Sequence, residues 1–198
     1  MSSEDVNDGR RRFLTGSFAV VGAAGALGAA IPFIKMWEPS AKAQAAGAPV
    51  EVNIGKLEPG QMLTTEWRGR PIWVVNRTPE MLEALGGVRD ELRDPDSAVE
   101  QQPGYAQNDT RSLKPELLIV IGVCTHLGCS PKFIPEMEPQ AFSEEWVGGF
   151  FCPCHSSKFD LAGRVFAGVP APSNLEVPPH SYLDDERIVI GIDPEDAA

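Results

Sequence analysis

Cys124-Thr-His126-Leu127-Gly128-Cys129 and Cys152-Pro-Cys154-His155-Ser156 are the two stretches from which the rest of the chain can be read. They hold all four cysteines and two of the three histidines of a 198-residue sequence. The Cys-x-His of the first and the Cys-x-x-His of the second offer two thiolates and two imidazoles: Cys124, His126, Cys152 and His155. Such a set suits either tetrahedral zinc or an asymmetric [2Fe–2S] cluster with both histidines on one iron. Cys129 and Cys154 are left over, in equivalent places in the two loops. A bridge between them would stiffen both loops, which a cluster held between two loop tips needs and a structural zinc site does not. The leftover cysteines therefore weigh toward the cluster.

Outward from these loops the pattern is that of short strands. Leu117–Ile121 is an uninterrupted apolar run that reads as a buried strand entering the first loop, and residues 147–151 lead into the second. Upstream, Val50, Val52 and Ile54 alternate with polar residues, and residues 71–76 form a second run of strong β propensity. Thr78-Pro79-Glu80 carries the signals of a helix start, an N-cap followed by proline and an acid, and Gly86-Gly87 ends that helix. Residues 88–112 are polar and punctuated by turn signals, and read as a loop-rich insertion. Residues 187–192 supply a last strand before an acidic tail. His180, beside Pro178 and Pro179 and near no cysteine, reads as a surface residue. The expected fold is mainly β, an antiparallel head without long amphipathic helices.

The N-terminus is built differently. Residues 1–9 are polar and expected to be disordered. Arg10-Arg11-Arg12-Phe13-Leu14 then has the form of a twin-arginine export signal, although Gly9 stands where Ser or Thr is commoner. Residues 13–34 carry no charge, roughly enough for a helix to span a bilayer. The arginines would stay cytoplasmic and the head would lie outside. Gly16, Gly22, Gly25 and Gly28 make the span rich in small residues that allow close helix approach in lipid. Residues 37–49, poor in large apolar side chains, read as a linker. The resulting division is 1–12 N-terminus with signal, 13–36 anchor, 37–49 linker and 50–198 head. The formal net charge of −11 argues against a nucleic-acid partner. With four basic and three acidic residues before Met36, the acidic excess belongs to the remainder of the chain.

The paired loops resemble the Rieske iron–sulfur subunit of bacterial quinol–cytochrome c oxidoreductases, the cytochrome bc1 complexes. Rieske ferredoxins and ring-hydroxylating oxygenases share the ligand spacing but usually lack the extra cysteine pair. The resemblance implies Cys124 and Cys152 on one iron, His126 and His155 on the other, and a Cys129–Cys154 disulfide. It implies His155 as the quinol contact, with Leu127 and Gly128 in the cluster's surroundings at the exposed tip. Ser157 matches a serine that donates to a bridging sulfide. Gly168, Pro170 and Pro172 match a proline-rich loop covering the cluster, and the cluster-binding subdomain would run over about 122–173. The partners implied are cytochrome b, cytochrome c1, quinol and the membrane, within a dimeric complex of the bacterial inner membrane, with residues 37–49 as a hinge.

Two positions depart from the family's commonest pattern. Ser156 stands where Gly is usual, which questions the backbone beside His155. Phe159 stands where a tyrosine hydroxyl would reach the sulfur of Cys124, and phenylalanine has no donor. Hydrogen bonds to cluster sulfurs favour the reduced state, so the expectation is a lower potential than in tyrosine-bearing relatives. Two other classes stay open on sequence. One is an electron-transfer subunit of another oxidoreductase, such as the small subunit of an arsenite oxidase. The other is a zinc domain or thiol–disulfide protein.

Overall fold

The computed structural model describes residues 7–194, and they fall into two compact units that divide between Ala45 and Ala46. The first unit is dominated by helix α1, Asp8–Lys35. Asn7 caps it, its side-chain oxygen accepting from the Arg10 backbone N–H at 3.2 Å. The helix therefore begins before the arginines, and Asp8 and Gly9 are helical rather than disordered. The remainder of the expected disordered stretch lies outside the described residues. Capping explains the early start: Asn7 satisfies an otherwise orphaned N–H, and Asp8 sits favourably in the first turn. None of the α1 side chains is buried, and Phe13, Phe18, Leu27 and Phe33 are among its exposed large apolar residues. At about 1.5 Å per residue the helix exceeds the roughly 30 Å of a hydrocarbon core. Length and composition are those of a membrane span. Within the expected linker, Ala41–Gly47 forms a short helix, α2. Ser40 starts it, its hydroxyl accepting from the Ala43 N–H at 3.2 Å.

The head contains three small antiparallel sheets. The first orders β1 (Val50–Asn53), β9 (Arg187–Ile190) and β8 (His180–Tyr182), so that the chain's entry and exit are paired. The second orders β2 (Met62–Trp67), β3 (Arg70–Asn76) and β4 (Leu117–Ile121). The third orders β5 (Lys132–Ile134), β6 (Gly149–Cys152) and β7 (Ser157–Phe159). Strand β2 was not expected. Its alternation is weak, but a two-residue turn at Arg68-Gly69, both with positive φ, marks the hairpin to β3. Helix α3, Pro79–Gly87, matches its sequence signals, with Thr78 accepting from the Met81 N–H at 3.3 Å.

Two apolar cores organise these sheets. One joins Val52, Trp67, Ile72, Val74, Ile119, Ile121, Ile188 and Ile190. The other joins Trp73, Val75, Leu118 and Val120 to Cys124, Phe150, Cys152, Phe159, Val165, Ala171 and Leu175. Strand β4, buried on both faces, feeds alternate residues to each. This explains why its sequence is continuous rather than alternating.

Residues 88–112 are loop-rich as expected, but several of them are part of the packed head. Val88, Leu92, Ser97, Ala106, Arg111 and Ser112 are all buried, and the Leu92 backbone bridges to Phe166. The polar sequence misleads because much of its burial is of hydrogen-bonded rather than apolar groups. His180 is likewise not on the surface: it is fully buried, with Nδ1 2.9 Å from the Pro178 carbonyl oxygen. Tyr105 and Tyr182 flank its ring, an environment that neighbouring residues in sequence do not announce.

Candidate metal centre

The two cysteine–histidine loops issue from different sheets and meet. The first follows β4. Within it the Cys124 N–H donates to the Cys129 carbonyl at 2.7 Å and the Gly128 N–H to the Cys124 carbonyl at 3.0 Å. Such a tight turn requires the positive φ of Gly128, +84°. The second is the hairpin between β6 and β7, in which Cys152 pairs with Ser157. Ser156, beside His155, has φ +60°, the left-handed conformation that glycine takes without strain. The backbone that this departure from glycine put in question is thus left-handed.

A disulfide joins the loops, Cys129 to Cys154. Cys124 and Cys152 are unbridged and buried, next to each other in the second core. Burial pushes the Cys124 thiol up from its usual pKa and contact with Cys152 adds to the rise, while the His126 backbone N–H and the Ser157 hydroxyl oppose it. Coordination to a metal would reverse the balance by displacing the proton. The imidazoles of His126 and His155 lie with ring centroids 4.7 Å apart and planes at 86°. His126 is half-buried and His155 exposed. The arrangement is polarised, with thiols inside and imidazoles toward water.

This donor set fits a two-iron cluster with chemically different ends better than it fits one zinc ion. Ligand atoms around a tetrahedral zinc lie within about 4 Å of one another, given bonds of roughly 2.0–2.3 Å. Among the described residues, one group of three donors has its ligating atoms within 4.8 Å of each other: Cys129, Cys152 and Cys154. Two of those three are consumed by the disulfide and have no thiolate to offer. The Cys124, His126, Cys152 and His155 set spreads wider, as a binuclear centre needs.

The surroundings close the site on its inner side. Ser157 is buried, its Oγ accepting from the Ala171 N–H at 3.1 Å, which leaves its own proton to be donated to the Cys124 sulfur. Ala171 belongs to the Gly168–Pro172 loop and packs in the same core as Cys124 and Cys152. That loop is tied down again by Arg93 donating to the Val169 carbonyl at 2.9 Å, and the residue after it by Thr125 Oγ1 donating to the Ser173 carbonyl at 2.7 Å. Gly168, Pro170 and Pro172 themselves are exposed. Phe159 is fully buried against the same core, in register with Phe150. Leu127 is 72% exposed, an apolar side chain held at the tip by the turn around it. Arg10 and Arg11 are exposed on the first turns of α1, in the other unit.

Fold and site define a class: an iron–sulfur protein with a Rieske-type head behind an apolar N-terminal helix. Comparison with known proteins agrees. The profile of the Rieske [2Fe-2S] domain matches residues 91–179, and a profile described as the ubiquinol–cytochrome c reductase Fe-S subunit TAT signal matches residues 1–40. The ubiquinol–cytochrome c reductase iron–sulfur subunit of Allochromatium vinosum is 57% identical, over 98% of this chain and 93% of its own. That of Blastochloris viridis is 40% identical, over 96% and 98% respectively. The mitochondrial cytochrome b-c1 complex Rieske subunit of Candida albicans is 39% identical, over 90% of this chain and 75% of its own. The chain belongs to the family of ubiquinol–cytochrome c reductase iron–sulfur subunits.

Proposed function

We propose that this chain takes an electron and a proton from quinol at a cytochrome b site and passes the electron to cytochrome c1. In this reading it works within a dimeric bc1 complex of the bacterial inner membrane. Residues 13–36 anchor it there, the N-terminus is cytoplasmic and the head is periplasmic, where the Cys129–Cys154 disulfide persists. Residues 37–49 act as the hinge. Cys124 and Cys152 hold one iron, and His126 and His155 the other. When bound, the cluster supplies a one-electron acceptor in the range of about −150 to +300 mV.

The observation that carries this reading is the polarity of the site, two buried thiols behind two outward imidazoles on bridged loops. The protein's own contribution follows from it. His155, the more exposed imidazole, accepts a hydrogen bond from the quinol hydroxyl at its nitrogen not bound to iron, and holds the proton there. Exposed Leu127 and Gly128 present an apolar tip to the quinol pocket. The disulfide and the tied Gly168–Pro172 loop keep water from the thiol side and hold both loops in place.

Purification of the tagged full-length chain from mildly solubilised membranes tests the proposal. It is expected to bring b-type and c-type haem with it and to reduce cytochrome c with quinol, an activity lost in His155→Ala. Recovery with a molybdenum oxidase and no b-type haem would refute it in favour of another oxidoreductase.

A further inference from the structure

Three arginines lie inside the head almost without access to water: Arg77, Arg111 and Arg164, each no more than 2% exposed. Asp160 is the one fully buried carboxylate among the described residues, and it pairs with Arg164 at 2.7 Å. The other two guanidinium groups meet neutral acceptors. Arg77 donates to the carbonyls of Thr110, Leu161 and Pro115 and to Ser112 Oγ. Arg111 donates to the carbonyls of Ala162, Gly163 and Leu175 and to Gln102 Oε1 at 2.9 Å. The Nε–H of each finds no acceptor. Burial pulls both groups down to about 10, with Asp160 opposing, so both are charged at neutral pH.

Their position relative to the thiols gives this charge a consequence. The carbonyls that Arg111 holds belong to the Asp160–Arg164 turn after β7 and to Leu175. Leu175, Val165 and Phe159 pack in one core with Cys124 and Cys152. Arg111 therefore stands behind a layer of apolar side chains against which the thiols rest, and Arg77 holds the Leu161 carbonyl of the same Asp160–Arg164 turn. Across such a layer a charge is poorly screened, because neither water nor salt enters. Two unpaired buried charges are also costly, and apolar side chains of similar volume would often be cheaper in stability. Two thiolates leave an oxidised [2Fe–2S] site neutral, and one added electron makes it negative.

We propose that Arg77 and Arg111 are tuning residues, a buried unpaired cation pair that raises the reduction potential by favouring the negative, reduced state of the site. The proposal rests on the ligand reading given above. Both arginines act through space and touch neither cluster nor quinol.

The test is an EPR-monitored redox titration of the full-length chain in solubilised membranes. Gln102 is half-buried, and Gln102→Glu sets a carboxylate beside Arg111 at the cost of amide bonds to the Ser97 and Val99 carbonyls. Gln102→Met loses the same amide bonds, and also the oxygen to which Arg111 donates, without adding charge. Asp160→Asn removes the buried negative charge while keeping an oxygen for the Ala162 and Arg164 N–H groups. The midpoint is expected to fall in Gln102→Glu, to stay in Gln102→Met and to rise in Asp160→Asn, with unchanged spectral line shape. Equal midpoints for the Glu and Met variants would overturn the proposal. A shift of Glu and Asn variants in the same direction would overturn it too, since structural loosening does that. A wild-type chain without a histidine-ligated cluster signal would instead bring down the ligand reading, and the proposal with it.

Discussion

Removing the Cys129–Cys154 bridge isolates what holds the two loops together. The bridge closes a segment of 25 residues. Loop-closure entropy for that length corresponds to about 3.5 kcal/mol of stability in the chain-entropy model. For a head of this size, each kcal/mol moves Tm by roughly 2–4 °C, so Cys129→Ser/Cys154→Ser should lower Tm by roughly 7–14 °C. Each loop keeps its own turn: the first its Cys124–Cys129 and Gly128–Cys124 backbone bonds, the second its β6–β7 register. The sheets should therefore persist while the cross-tie alone is lost. Calorimetry of the full-length variant in detergent reads the first effect, and the decay of the visible cluster absorbance on warming reads the second. A Tm within 2 °C of wild type, with cluster loss no faster, would refute the view that the bridge rather than the turns fixes the two tips.

Three further outcomes follow from named contacts. Phe159→Tyr would place a hydroxyl in the core shared with Cys124, and a hydrogen bond favouring the reduced state by about 1 kcal/mol raises the potential by about 40 mV. An unchanged midpoint would show that the ring does not reach the sulfur. Gly149→Ala should destabilise by about 3 kcal/mol or more, because φ is +147° and a Cβ would overlap the Phe159 carbonyl oxygen; denaturant unfolding with a near-native midpoint would contradict this. Burial lowers the pKa of His180 below its ordinary 6.5, despite the Pro178 carbonyl and Asp193, which favour the charged ring. The unfolded chain then binds the proton first, so stability is full above pH 6.5 and is lost as pH falls from there toward the folded pKa. His180→Gln should flatten that slope relative to wild type, and parallel slopes would count against a neutral buried ring.

Much of the site was legible because its chemistry is concentrated in few residues. The loops, the strand before each and α3 follow from residue types with little alternative use: unbroken apolar runs, Thr-Pro-Glu, Cys and His at ligand spacing. What sequence missed was long-range burial of polar groups. Nothing near Arg77, Arg111 or His180 in sequence says that their partners lie 33 to 84 residues away for Arg77, or that Tyr105 closes on the His180 backbone. For the same reason residues 88–112 read as a polar, loop-rich insertion although several of them are buried in the head. Arg164 was the exception that could have been read, since Asp160 stands four residues before it. Strand β2 escaped because only the Arg68-Gly69 turn, and not its alternation, marks it.

The measurement that bears most directly on the central claim is EPR with nitrogen hyperfine analysis of the dithionite-reduced, full-length chain. The protein would be labelled with ¹⁵N-histidine, and iron, sulfide and zinc assayed on the same sample. The expected result is a rhombic [2Fe–2S] signal coupled to two histidine nitrogens, iron equal to sulfide, and loss of coupling in His126→Ala and His155→Ala. An EPR-silent sample holding zinc, or a cluster signal with no histidine coupling, would contradict it.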